Sequence, residues 1–554
     1  MQPPRKTRHP ALPDAFTRRI GEQFPQEHAA FAEALDRDPV TSIRLNPHKW
    51  NRVRCKPDFL GDAVPWSRNG HFLNERPAFT FDPLFHAGSY YVQEASSMFL
   101  EHVLTRLSLS GSYPDLILDA CAAPGGKATL MAALFPDSLV VSNEIIRSRV
   151  PPLIENSIKW GTGNILITQN ATPHFGGLPD FFDLVVTDVP CSGEGLFRKD
   201  PFAREEWTAD NARHCSLRQR SIVTDLWPAV RPGGHLVYTT CTFNPEENER
   251  NVAWLLDQTG GECVQVSLPA EADAAGRIDA RNPGSITEVT DGPVTGYGFY
   301  PHRTVGEGFF LSVIRKRDPD CTRFGNSHES SGKGESGNKS IGSKNIGIGS
   351  IRNENIRSKN TGGGSGIIGD EHIPESGSRW RTGNGSRSRG KSIDRKRTRS
   401  SFGRATNIQL PDPEAVNKAR AWFRGNGFDW YQIHDRLFRI HSSHLDTLQH
   451  ISRVLAVRYA GTEAGRVLRG EVRPAASAAL DIHLDPAAFP QIDAATGDAL
   501  AFLRRENLPV PKNARKGWYL VMYEGLPLGW SKNVGSRMNN YYPSEWRIRK
   551  APRR

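Results

Sequence analysis

Five short apolar runs, separated by helix-length segments, constrain this chain more than any other feature. They are "DLILDA" (115–120), "LVVSNE" (139–144), "NILITQ" (164–169), "FDLVVTDVP" (182–190) and "GGHLVYTTCT" (233–242). Each is apolar and β-rich without strict alternation, the pattern of a strand buried on both faces. The stretches between them are long enough for crossover helices. Together they predict a doubly wound α/β sheet. "GEGFFLSVIRK" (306–316) reads as one more strand, suited to antiparallel pairing. Such sheets carry their ligands beyond the carboxyl ends of the strands. The residues that follow each run are therefore where chemistry is expected.

Two of those ends carry a thiol: Cys191 in "VVTDVPCSGEGLFRKDP" (185–201) and Cys241 in "YTTCTFNPEENERNV" (238–252). A buried structural cysteine is the ordinary explanation for either one alone. Two of them, each followed by polar turn residues on strands expected to be neighbours, point instead to one shared cleft. A thiolate there can attack an electron-poor ring carbon. Asp188, three residues before Cys191, is either a solvated strand cap or a group that hydrogen-bonds or protonates a ring nitrogen.

A third strand end opens "LDACAAPGGKATL" (118–130). A strand ending at Asp119 runs into a loop of small residues, and a helix begins near Lys127. Glycines let the backbone approach a ligand, and the helix offers free N–H groups. The loop is neither GxGxxG nor a Walker loop. About twenty residues on, Glu144 ends the second strand, where an acid commonly takes ribose hydroxyls. Asp119, Gly125, Gly126 and Glu144 thus outline a nucleoside pocket.

At 554 residues the chain is too long for one core. Its net charge of +11 is unevenly spread: residues 324–404 hold 16 Lys and Arg against 7 Asp and Glu, leaving the remainder near +2. The high charge mostly reports one segment, so alone it says little about a polyanionic partner. That segment, 318–408, repeats Gly, Ser, Asn and Lys with almost no aromatics. It cannot bury enough apolar area to offset its ordering entropy, and a disordered basic linker is expected. "RSRGKSIDRKRTRS" (387–400) is either a solvated tether or a non-specific contact to phosphates. Beyond it, helical patterns ("PEAVNKARAWFRGNGF", "DALAFLRREN") mix with short strands ("GWYLVMYEG"), and a basic, aromatic end suits stacking plus phosphate contact. Seven cysteines, no apolar leader and no run of 18 apolar residues lead us to expect free thiols in a reducing cytoplasm, with no membrane. No CxxC or CxxH pair suggests a metal.

These residues resemble the Sun-type RNA (cytosine-5-)-methyltransferases, and among them the RsmF-type enzymes of 16S ribosomal RNA. The matching pieces are "TSIRLNPHKW" (41–50), "GSYYVQEASSM" (88–98), "DACAAPGGK" (119–127), "DVPCSGEGLFRKDP" (188–201), "RPGGHLVYTTCTFNPEENE" (231–249) and "LGWSKNVGSRMNNYYPSEWRI" (528–548). The resemblance implies a Rossmann-like S-adenosylmethionine-dependent methyltransferase sheet. It divides the chain into an N-terminal RNA-binding or accessory domain (1–85), the methyltransferase domain (86–317), the linker (318–408), an intermediate domain (409–495) and a PUA-like RNA-binding domain (496–554). S-adenosyl-L-methionine is the implied cofactor and small-subunit ribosomal RNA, or its precursor, the implied partner. Cys241 would be the nucleophile toward carbon 6 of cytosine, and Cys191 would assist loss of the carbon 5 proton and release. Asp188 would touch both cofactor and base. Cys121, Ala122, Ala123, Pro124, Gly125, Gly126 and Lys127 would wrap the cofactor, with Glu144 on the ribose and Arg149 beside it. Lys127 and Lys199 would support substrate phosphates or the cofactor carboxylate, unless they are ordinary surface lysines. The family often places an acid at the end of the third strand, against adenine. Here Asn170 stands, able to accept from the adenine amino group.

Three alternatives compete. DNA cytosine methyltransferases use a "PC" thiol, which would make Cys191 the nucleophile, but the "TTCT" context of Cys241 argues against it. A non-catalytic RNA-binding factor would not need the thiols or the loop. A nicotinamide dehydrogenase would need GxGxxG.

Overall fold

The computed structural model describes residues 10–109, 111, 113–269, 286–318 and 408–550. Residues 319–407, and with them nearly all of the expected linker, lie outside the described residues.

The predicted sheet forms. Its parallel strands are β1 (Leu116–Asp119), β2 (Leu139–Asn143), β3 (Ile165–Thr168), β4 (Phe182–Asp188) and β5 (Val230–Thr240). Antiparallel strands β6 (Thr287–Asp291), β7 (Val294–Phe299) and β8 (Phe309–Arg315) follow, with β8 paired to β5 as the sequence pattern allows. A ninth strand, β9 (Val457–Ala460), comes from beyond residue 407 and pairs antiparallel with β3. Among the described residues the order is β6-β7-β8-β5-β4-β1-β2-β3-β9, with the short Glu262–Cys263 strand also on β8. The inner strands are buried on both faces: all four residues of β3 and all five of β2 are buried. That two-sided burial is why their sequences lack polar alternation. Covering helices include α1 (Phe99–Leu109), α2 (Gly126–Leu134), α3 (Val150–Trp160), α4 (Ala209–Leu226) and α5 (Glu249–Thr259).

Three further antiparallel or mixed sheets surround this one. The first orders Leu60–Ala63, Gly70–Leu73, Ser42–Leu45 and Tyr90–Val92. Its Arg44 and Asn46 tie it to the main sheet's helices, while Leu45 between them packs toward the C-terminal sheet. Arg44 is buried and stacks its guanidinium 4.2 Å from the Trp160 ring centroid. It also donates to Gly126 O at 3.1 Å and Thr129 Oγ1 at 2.7 Å. Asn46 Nδ2 donates to the carbonyls of Gly88 and Trp160. The second sheet orders Phe428–Ile433, Arg436–His441, Thr462–Leu468 and Glu471–Pro474. Its Tyr431, Phe438 and Ile440 join the same core as the parallel strands. The third orders Gln491–Asp493, Gly517–Tyr523, Leu526–Asn533 and Met538–Asn540, and packs its apolar face on the N-terminal sheet. Among the described residues no helix is long and apolar enough to cross a membrane, and no group of three or more His, Cys, Asp or Glu could hold a metal ion.

Candidate active site

The sheet's order reverses at β1 and β4, which lie side by side, and a cleft of about 630 Å3 opens beyond their carboxyl ends. Eight of the residues predicted from sequence line it: Cys121, Ala123, Glu144, Arg149, Asn170, Asp188, Cys191 and Cys241. Ala122, Pro124, Gly125, Gly126 and Lys127 stand behind that lining.

The thiols meet because β4 and β5 are parallel neighbours in register Asp188↔Thr239. Cys191 Sγ lies 3.1 Å from Cys241 Sγ. The turn after Cys191 folds onto the Cys241 backbone, with Gly195 N donating to Cys241 O at 2.9 Å. A Cβ at position 195 would sit 2.7 Å from that oxygen, so the second glycine of "SGEG" is sterically required. Beneath the turn, Glu247 accepts from Ser192 N at 2.9 Å, Ser192 Oγ at 2.5 Å and Gln219 Nε2 at 2.9 Å. Burial pushes the Glu247 carboxyl up to about 7, against the Ser192 bonds that oppose the shift. Glu194 accepts from Phe243 N and Trp207 Nε1. The carboxylates flanking both thiols are thus structural: they hold two turns against each other.

The hydrogen bond with Cys241, reinforced by burial, pushes the Cys191 thiol well above its ordinary value. Cys191 therefore keeps its proton and can direct it at Cys241 Sγ. Cys121, a third thiol in the cleft, is lifted to about 12 by burial and by the nearby Asp119 charge, which makes it a poor nucleophile.

Asp188, 38% exposed at its side chain, is fixed by two contacts. Lys127 Nζ lies 2.8 Å from its Oδ2, and Thr239 Oγ1 donates to Oδ1 at 3.0 Å. Burial alone would lower the Lys127 pKa, but Asp188 and Asp119 reverse the effect and the net shift is upward. Lys127 thus sits inside the protein as the partner of a carboxylate, and Lys199 lies 3.7 Å from Glu307. Neither is a free surface cation. Asp119 lies fully buried behind Lys127, and neither of its oxygens has a hydrogen-bond partner among the described residues. Burial raises it from an ordinary 3.8 to about 7, Lys127 offsetting part of the rise.

On the other side of the cleft, the small-residue loop is braced at every turn. Ala122 N donates to Asn143 O at 2.8 Å, Asn156 Nδ2 to Pro124 O at 2.8 Å, and Arg149 Nη2 to Ala123 O at 2.6 Å. Gly125 adopts φ +111°, the left-handed region, to start α2. Arg149 also pairs with Glu144, at 3.4 Å, so these two predicted residues contact each other as well as the cleft. Glu144 Oε1 accepts from Ile146 N at 2.8 Å. Asn170 lines the cleft, its Oδ1 accepts from Ala456 N at 3.1 Å and its buried Nδ2 has no partner among the described residues. An amide oxygen has two lone pairs, so Oδ1 retains one beyond that bond.

Sequence reasoning missed several lining residues. Ile145 and Ile146 are 52% and 45% exposed at the rim, an apolar surface right after Glu144. "EII" at a strand end was the available signal. Arg218 and Asp225 come from α4, whose sequence carries no mark of a site.

Fold and cleft together define a doubly wound α/β protein with a small-residue loop on one side and paired thiols on the other. Comparison with known proteins agrees. Residues 107–315 match the profile described as 16S rRNA methyltransferase RsmB/F, residues 12–95 the N-terminal domain of 16S rRNA methyltransferase RsmF, and residues 489–548 the methyltransferase RsmF PUA domain. The chain is thus similar, segment by segment, to RsmB/F methyltransferases and to the N-terminal and PUA domains of RsmF. It is 33% identical over 327 residues to the ribosomal RNA small subunit methyltransferase F of Vibrio cholerae, covering 56% of this chain and 65% of that protein. It is 34% identical over 326 residues to the Citrobacter koseri protein of the same name, covering 55% and 63%. The match thus spans just under two thirds of these relatives. A methyltransferase homolog from Pyrococcus horikoshii aligns at 27% identity and TM-score 0.45, over 55% of this chain and 96% of that one.

Proposed function

We propose that this protein methylates carbon 5 of a cytosine in small-subunit ribosomal RNA, using S-adenosyl-L-methionine and a transient bond from Cys241 to the base. The observation that carries the reading is the pair of thiols 3.1 Å apart at adjacent strand ends, facing one cleft with Asp188. The residues fit the cofactor: Ala123 and Cys121 line the cleft on a loop backed by the start of α2, Glu144 and Arg149 stand at the end of β2, and the buried Asn170 Nδ2 lacks a partner. When bound, the cofactor supplies an electrophilic methyl group on a sulfonium.

The chain's own residues do the rest. The target base leaves its stack to enter the cleft. Cys241 Sγ, as thiolate, adds to carbon 6, and the proton on Cys191 stabilises the thiolate beforehand. The addition breaks the 5,6 double bond and leaves carbon 5 electron-rich. Asp188, held by Lys127 and Thr239, offers a fixed carboxylate to the hydrogen-bonding edge of the base. Once carbon 5 carries the methyl, its proton must go to a base and the Sγ–C6 bond must break. Cys191, adjacent and still protonated, gives its own proton to the departing Cys241 sulfur and takes up the carbon 5 proton in exchange. The Sγ–C6 bond breaks, the double bond returns, and Cys241 afterwards loses its proton to solvent. Free thiols require a reducing compartment, and the cytoplasm supplies one. The N-terminal and C-terminal sheets, packed on each other, are the surfaces we assign to RNA binding.

The test is RNA carrying 5-fluorocytidine, which cannot lose its carbon 5 substituent. Wild type and Cys191→Ala should form a covalent adduct, and Cys241→Ser should not. Loss of the adduct with Cys191→Ala alone would move the nucleophile to Cys191 and end this assignment.

A further inference from the structure

Close to the buried Arg44 and Asn46, the side chains of His48 and Arg52 line a second cleft, of about 650 Å3. Arg424 and His483 face them from the chain beyond residue 407, and Ile482, Pro486 and Ala487 add an apolar lining. Two arginines and two histidines thus meet on one concave surface, and no acid lines it. The cleft lies away from the thiols. Ile482 N donates to the carbonyl of Gly161, just past the end of α3, at 3.0 Å. Arg149, just before α3, lines the thiol cleft. The two clefts therefore sit at opposite ends of an 11-residue helix, about 16 Å apart along its axis.

The cations are positioned by what lies behind them. Asp481 is buried and accepts from Arg439 Nη2 at 2.8 Å and from Thr462 Oγ1 at 2.5 Å. Burial would raise its carboxyl, but Arg439 and His483 outweigh burial and hold it below the ordinary range. This carboxylate takes His483 N at 2.8 Å and His483 Nδ1 at 3.1 Å. The other ring nitrogen is left on the side away from it. Arg424 N donates to His483 O at 2.8 Å, and its guanidinium lies 2.7 Å from Asp485, which also caps Ala487 N at 3.1 Å. The Arg52 side chain has no hydrogen bond or ion pair among the described residues. Partial burial, and then the charge of Arg424, lower its pKa. Burial, and then the charges of His483 and Lys49, lower that of His48. Like charges gathered in a concavity favour an anion between them.

We infer that this cleft is a second RNA contact, in which Arg52 and Arg424 grip a backbone phosphate of the strand being methylated and His483 lends a further donor. The inference rests on the RNA reading above and adds a site to it. Phosphate is the anion that suits two planar guanidinium forks, and RNA carries one at every nucleotide. Such a contact positions the strand without reading its sequence. Because α3 separates the clefts, the phosphate held here belongs to a nucleotide several positions from the target base.

The experiment measures binding of a small-subunit ribosomal RNA transcript to the full-length protein across salt concentrations. Arg52→Ala/Arg424→Ala is expected to reduce the slope of log affinity against log salt by about 1.4, two contacts at about 0.7 each. Binding at low salt should weaken by about tenfold. In methylation assays the loss should fall on KM for RNA. Turnover at saturating RNA and affinity for S-adenosylhomocysteine should stay at wild-type values, which also shows that the variant folds. Arg52→Lys/Arg424→Lys should restore most of the slope, since the charges return. Arg453→Ala/Arg469→Ala removes two exposed arginines elsewhere and should leave the slope unchanged. No change of slope in the first pair, or an equal fall in the control pair, would overturn the inference. So would calorimetric binding of inorganic phosphate that the first pair abolishes while RNA binding stays intact, because the cleft would then take a free anion. Failure of the wild-type protein to bind the transcript would instead remove the RNA reading, and this inference with it.

Discussion

The two sides of the cleft are assembled in opposite ways. The thiol side is local: Asp188, Cys191, Ser192, Glu194, Cys241 and Glu247 all come from the ends of two adjacent strands and the turns that leave them. The nucleoside side is pieced together from distant segments. Its loop is held by Arg149 just before α3, by Asn156 on α3 and by Arg44 from the N-terminal sheet, and its far edge by Ala456. A local site tolerates change elsewhere in the chain. A composite one makes ligand binding depend on how the whole chain packs.

The largest effect expected from breaking the comparison is on the thiol side. Cys241→Ser should lower the methylation rate by at least ~10³-fold while leaving cofactor binding near wild type, because the lost step is covalent. Methyl-group incorporation and calorimetry together would check it, and full activity in the serine variant would sink the nucleophile assignment.

Asp119 stands between the two sides, and its contribution is a pH effect. Its folded-state pKa of about 7 lies above the ordinary 3.8, so between those values the folded state holds a proton that the unfolded state has lost. Stability from this group is greatest below pH 4 and declines as pH rises through 4 to 7, by on the order of 4 kcal/mol. Asp119→Asn should gain on wild type progressively across that window in chemical denaturation, and parallel pH profiles would refute the shift.

Next in size is Glu247→Ala, which strands Ser192 N–H and Gln219 Nε2 beneath the thiol turn. A loss of about 2–3 kcal/mol of stability is expected. The nucleoside side should be spared, so cofactor affinity measured below the unfolding transition should hold. The smallest effect tests that separation from the other direction. Arg149→Ala frees the Ala123 carbonyl and Glu144 and should weaken the cofactor by about tenfold. Alkylation of Cys241 by iodoacetamide should proceed at its wild-type rate, and a change in that rate would show that the two sides are coupled.

How much of this could be read from the sequence follows the same division. The five parallel strands were legible because two-sided burial leaves an unmistakable apolar run. The meeting of Cys191 with Cys241 was legible because neighbouring parallel strands bring their carboxyl ends together. The carboxylates of "PEENE" were visible but not their purpose, since only the fold shows Glu247 reaching under Ser192. Arg44 gave no hint that it grips Gly126, because that contact joins two sheets. Asn170 was recognised as a departure, yet its partner Ala456 lies beyond a long low-complexity stretch, and "VRYA" is too short a run to mark a strand. Contacts of that range depend on tertiary packing and leave no periodic trace.

The pairing of Val457–Ala460 with Ile165–Thr168 has a practical consequence. A truncated product ending near residue 318 would lose this border strand and bare the unsatisfied amides and carbonyls of a fully buried neighbour. Such a raw margin invites self-association. The α/β portion is therefore not a portable module, and attempts to transplant it alone should yield aggregates until a substitute strand is grafted on.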